Sequence, residues 1–116
     1  MSTEGMSPER IVAAYFDAWR ARDFDRYQSL LADDFSFVGP LATLTGAVEA
    51  RRGIEGMAKI ITDLVVLRRF VEGDEVLTWF ELHAGGVALP TANWAKVEGG
   101  RIVSMKVTFD PRPLFA

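Results

Sequence analysis

Few side chains in these 116 residues are equipped for chemistry. Tyr15 is one: its phenol could donate a hydrogen bond to a ligand oxygen or, as a core residue, to a backbone carbonyl. His83, the sole histidine, lies two residues from Glu81. Imidazole titrates near neutrality and suits a general base. Strand alternation, however, turns both residues outward, which favours an exposed or interfacial role. Asp33 and Asp34 could act as paired acids, although aspartates beside a helix end commonly serve as caps and turns. Asp110 and Arg112 could pair with each other or guard the mouth of a pocket. Lys96 could reach a pocket rim or snorkel to water. Ser36 and Thr78 offer hydroxyls that a local backbone group can equally take.

Several chemistries are excluded or disfavoured by composition. The chain has no cysteine, which removes disulfides, thiolate zinc sites and cysteine nucleophiles. With one histidine, no metal site is expected. Gly-rich phosphate loops, nucleophile elbows and metalloprotease motifs are missing, so no cofactor is expected either. Thirteen basic against sixteen acidic residues give a net charge of −3, and the pairs Arg51-Arg52 and Arg68-Arg69 stand isolated. Nucleic acid is therefore not an expected partner. No run approaches the ~20 apolar residues of a membrane span, and Met1 to Glu9 lacks an apolar leader core. The expected compartment is the cytoplasm, with no membrane partner. The length fits one domain over residues 1–116, the first six forming a flexible tail.

The elements that must position these residues are readable from spacing. Ser7-Pro8-Glu9 starts a helix: a capping hydroxyl, a proline at the first position and an acid on the positive dipole end. Ile11, Ala14, Tyr15, Ala18 and Trp19 form its apolar stripe. Asp23 caps a short second helix burying Phe24, Tyr27, Leu30 and Leu31, and Asp33-Asp34 ends it. Phe35 to Val38 reads as a strand stopped by Gly39-Pro40, and Leu41 to Arg52 as a long connection. Ile54, Met57, Ala58, Ile61 and Leu64 predict a third helix from Gly53. Strands follow over Val65–Glu72, Glu75–Ala84, Thr91–Val97 and Arg101–Asp110, separated by glycine-bearing turns. Pro90 must sit at a strand start or bulge. Helices first and a strand meander afterwards predict an α+β fold.

Alternation assigns faces. Val103, Met105, Val107 and Phe109 fall on one side of the last strand and should meet the helices. In the strand from Glu75, Val76, Thr78, Phe80 and Leu82 form the more uniformly apolar face and are set inward. Leu77, Trp79, Glu81 and His83 then face outward, and Trp79 there suggests a homodimer through the outer sheet face.

The order of elements and four short motifs resemble the nuclear transport factor 2-like superfamily, with its SnoaL-like polyketide cyclases, ketosteroid isomerases and limonene epoxide hydrolases. The motifs are YFDAWRARDFDRYQSLL (Tyr15 to Leu31), ADDF (Ala32 to Phe35), EGDEVLT (Glu72 to Thr78) and GRIVSMKVTFD (Gly100 to Asp110). The resemblance implies a cone: a curved antiparallel sheet closed by three N-terminal helices, a cystatin-like roll. It places Tyr15 where ketosteroid isomerases keep an oxyanion donor. Their general base matches Gly39 and their second, acidic donor matches Ala92. The Asp-Arg-Asp set of the epoxide hydrolases matches Leu82, Phe80 and Val107, and their Tyr and Asn match Ser36 and Val38. The acids of all three reactions are replaced, and a tuned acid or base is worth about 10²–10⁴ in rate.

The first expectation is thus a SnoaL-like protein binding a small, mostly apolar molecule, with catalysis left open. Its pocket walls would be Tyr15, Trp19, Val38, Phe80, Trp94, Val107 and Phe109, with residues 80, 82, 92 and 107 facing the helices. Trp19 and Trp94 could equally be core bulk. Two alternatives stand beside it. One is an isomerase, cyclase or hydrolase of a polyketide-, steroid- or terpene-like substrate with relocated acids, such as Glu81 or Asp110. The other is a dimeric interaction module with a filled cavity.

Overall fold

The computed structural model describes residues 5–115. It is an α+β fold in which three helices cover one face of a six-stranded sheet. The tail expected over residues 1–6 falls outside the described residues up to position 4, whereas Met6 packs against the core.

Helix α1 spans Pro8–Ala21, and Ser7 Oγ accepts from the Arg10 amide at 3.2 Å. The helix ends where Arg22 turns into the left-handed region at φ 57°, its amide donating to the Trp19 carbonyl. Helix α2 spans Phe24–Ser29, capped by Asp23, whose Oδ1 accepts from the Arg26 amide at 3.1 Å. Strand β1, Leu31–Val38, begins directly afterwards, so Asp33 and Asp34 are exposed strand residues rather than the expected turn. Strand β2, Thr43–Thr45, turns back against it.

Helix α3 is Ala47–Met57, well before the expected start at Gly53. Its buried stripe is Ala47, Ala50 and Ile54. Ile61 and Leu64 are buried as expected but not helical: Thr62 donates both its amide and its hydroxyl to the His83 carbonyl, which opens β3 at Asp63. Core burial continues through that change of structure, so apolar spacing alone could not locate the helix end. Arg22 secures the junction, its guanidinium donating to the carbonyls of Ala58 and Ile61 at 3.2 and 3.0 Å. Arg20 donates to the Leu64 carbonyl. Arg51 ties α3 to α2 through Asp25 at 2.7 Å.

Strands β3 (Asp63–Glu72), β4 (Glu75–Ala84), β5 (Val87–Glu98) and β6 (Arg101–Thr108) form an antiparallel meander. The strand order is β2-β1-β6-β5-β4-β3. One pairing departs from the antiparallel expectation: β1 runs parallel to β6. Strand β5 starts four residues before the expected Thr91. Pro90 is tolerated there because the stretch before Ala92 pairs with β4 alone and is locally an edge. Register shifts between Leu31 and Ser36, Val66 and Arg68, and Lys96 and Val97 mark irregularities that bend a sheet. The last of these breaks the expected alternation of β6, so that Ile102 is buried in place of Val103. Among the described residues no helix is long and apolar enough to cross a membrane.

Candidate functional site

The inner face of the sheet and the three helices enclose a cavity of about 370 Å³. Helices α1 and α2 contribute Tyr15, Trp19 and Tyr27, and α3 contributes Ile54 and Met57. The sheet contributes Phe37, Phe80, Leu82, Asn93 and Val107, Phe109 follows directly after β6, and the segment 39–42 forms part of the wall. Strand β4 presents the expected parity: Val76, Thr78, Phe80 and Leu82 are buried, while Leu77 and Trp79 are exposed.

Two expected wall residues face the other way. Val38 is 47% exposed, and its neighbour Phe37 turns inward instead. Trp94 is 48% exposed on the outer face, where its Nε1 donates to Glu75 at 2.7 Å and Lys106 lies over its ring. The inward residues of β5 are Thr91, Asn93, Ala95 and Val97. Ala92, expected inward, therefore belongs to the outer face between Trp79 and Thr108. A signal for this was present: Lys96 belongs in water, and two-residue steps carry Trp94 and Ala92 to the same side. Sequence reasoning missed Asn93 and Tyr27 as site residues because a tryptophan looks more like a wall than an asparagine does.

The polar groups of the wall are mostly neutral. The Tyr15 and Tyr27 hydroxyls meet at 3.2 Å. Burial pushes Tyr15 up to about 12, against a smaller opposing effect of its bond to Tyr27. Burial, together with the adjoining Tyr15, holds Tyr27 well above the usual phenol range. Both are hydrogen-bond donors at neutral pH. Asn93 Nδ2 donates to Met105 Sδ at 3.1 Å, and Asn93 Oδ1 has no partner among the described residues. Among the described residues, Arg52 is the charged residue of the lining and no carboxylate lines it.

The positions matched to known reactions sort accordingly. Leu82, Phe80 and Val107 line the cavity, but Ser36 and Val38 are exposed. Gly39 lines it too, and a Cβ there would stand 2.9 Å from Phe37 Cε1. The relocated acids do not enter the lining. Glu81 and His83 pair at 3.1 Å on the outer face. Asp110 is gripped by the Arg112 guanidinium at 2.7–3.0 Å, and these hydrogen bonds hold its carboxyl down to about 2.

Comparison with known proteins agrees with this architecture. No curated protein matches the sequence. An NTF2-like protein of unknown function from Cytophaga hutchinsonii is 28% identical, covering 95% of this chain and 96% of its own, with a TM-score of 0.83. An LEH-like epoxide hydrolase from M. tuberculosis is 23% identical over 93% of this chain and 86% of its own, with a TM-score of 0.76. A de novo designed protein with a curved β-sheet reaches a TM-score of 0.82 at 16% identity, over 90% of this chain and 86% of its own. The last two likenesses concern the fold alone, and a fold does not transmit a reaction. The family model described as a SnoaL-like domain matches residues 12–105. The chain therefore belongs to the SnoaL-like family of the nuclear transport factor 2-like superfamily.

Proposed function

We propose that this domain binds a small, mostly apolar molecule in its cavity, with Tyr15 as the orienting donor. The observation that carries the reading is the wall itself: aromatic and aliphatic side chains around about 370 Å³, with a few neutral polar groups and, among the described residues, no carboxylate. That volume lies within the roughly 300–1,000 Å³ of small-molecule sites. A charged ligand would be desolvated there without a counter-charge, apart from an anion reaching Arg52. Acid–base turnover through Glu81 or Asp110 is not favoured, because His83 and Arg112 hold these carboxylates elsewhere. Native mass spectrometry of the purified protein should show a co-purified small molecule or uptake of an added apolar one. Val107→Trp, which narrows the cavity, should weaken that uptake at least about tenfold. Undiminished uptake by this variant would place binding elsewhere and overturn the reading.

A second proposal concerns the outer face. Phe70, Leu77 and Trp94 stand side by side on neighbouring strands, with Trp79 adjoining, and all four are exposed. Glu72, Glu75 and Lys96 stand in one cross-strand row beside this patch, and Lys106 adjoins Trp94. A twofold-related copy of the chain can cover the aromatic rings while setting the glutamates of one copy against the lysines of the other.

A further inference from the structure

Asn93 reaches the cavity wall from the middle of β5 with 1% of its surface exposed. Its amide is half used. Nδ2 donates to Met105 Sδ, and a thioether sulfur can only accept, so the sulfur selects the NH2 end of the amide. Oδ1 is left without a donor among the described residues. A buried carbonyl oxygen without a hydrogen bond is costly, and Asn93 Oδ1 is already shielded from water. A ligand that brings its own O–H removes that cost.

We propose that Asn93 is a specificity-determining residue: among molecules that fit the cavity, it selects those carrying a neutral hydroxyl over the ketone or hydrocarbon of the same shape. A neutral donor is required because the described residues of the lining include no carboxylate to balance an ammonium group. The Tyr15–Tyr27 pair complements this choice. One phenolic hydrogen is used between the two rings, and the other can donate to an oxygen, which a hydroxyl and a ketone accept alike. Discrimination therefore falls to Asn93. The inference rests on the apolar-cavity reading above.

The test is isothermal titration of the protein with borneol and camphor, rigid bicyclic molecules of nearly one shape that differ in whether the oxygen can donate. Borneol should bind about tenfold more tightly, the fold-change of one net hydrogen bond. Asn93→Leu, which removes the orphan oxygen together with the amide, should bring the ratio to about one while both ligands still bind. Met105→Leu frees the amide to turn its NH2 toward the ligand and should raise camphor toward borneol. Equal wild-type affinities for the two would overturn the selection by Asn93 and leave the apolar cavity standing. Binding of neither, with the parent hydrocarbon bornane also failing, would overturn both.

Discussion

The phenolic oxygens of Tyr15 and Tyr27 stand 3.2 Å apart, joining α1 to α2 inside the core. Both rings are almost wholly buried, and they are the only two tyrosines of the chain. An ionised phenolate there would lose its hydration and face a second hydroxyl oxygen, so the folded state keeps both protons.

Alkaline titration should expose this directly. The unfolded chain releases phenolic protons near 10, whereas folded Tyr15 retains its proton to about 12. The folded state then binds more protons than the unfolded one, so stability is intact below about pH 10 and falls as pH rises through the window between the two values. Phenolate absorbance should stay flat through pH 10 and rise together with the loss of circular dichroism. A smooth titration of a folded protein near 10 would contradict the buried pair.

Removing either hydroxyl should have a measurable cost. Tyr15→Phe and Tyr27→Phe each delete one partner of the 3.2 Å bond, and each should destabilise the fold by about 1 kcal/mol in denaturant unfolding. Under the proposed function, Tyr15→Phe should in addition weaken ligands with an oxygen acceptor by about tenfold and leave hydrocarbons unchanged.

Gly39 is held to its identity by Phe37. The ring comes within 2.9 Å of where a Cβ would sit, so Gly39→Ala must push it off its packing position. The expected cost is about 1–2 kcal/mol, and Phe37→Leu in the same chain should recover part of it. Gly39→Asp meets the same obstruction, so restoring the matched acid should destabilise before it adds chemistry. Equal melting temperatures for Gly39→Ala and the parent would show that the ring yields freely.

Trp79 and Trp94 offer a separate test of the outer face. Trp79→Lys with Trp94→Lys should convert a dimer to a monomer in sedimentation velocity and leave cavity binding unaltered, since neither ring lines the cavity. A parent protein that sediments as a monomer at micromolar concentration would remove the dimer proposal.

Legibility in the sequence followed local contrast. Ser7-Pro8-Glu9 punctuates α1 unambiguously, and Glu81 and His83 fixed the outward face of β4. Helix α3 was displaced because Ile61 and Leu64 are as buried as helix positions although they lie in the link after the helix and in β3. Asn93 stayed hidden because inward polar residues contradict the rule that makes strands readable; Lys96 held the needed parity. The pairing of β1 with β6 had no signature at all, since parallel partners are joined by no tight turn.

That parallel pairing has a kinetic consequence. Apart from the short β2 hairpin, residues 31–38 find their sheet partner in residues 101–108, late in the chain. During synthesis the first half of the molecule therefore waits, its side of the cavity unclosed, until the final strand emerges. The β3–β6 meander needs only short-range turns and can assemble first, with β1 and β2 docking last. In pulse-labelled hydrogen exchange during refolding, the amides of β4 and β5 should gain protection before those of β1; simultaneous protection would show that the sheet closes as one unit.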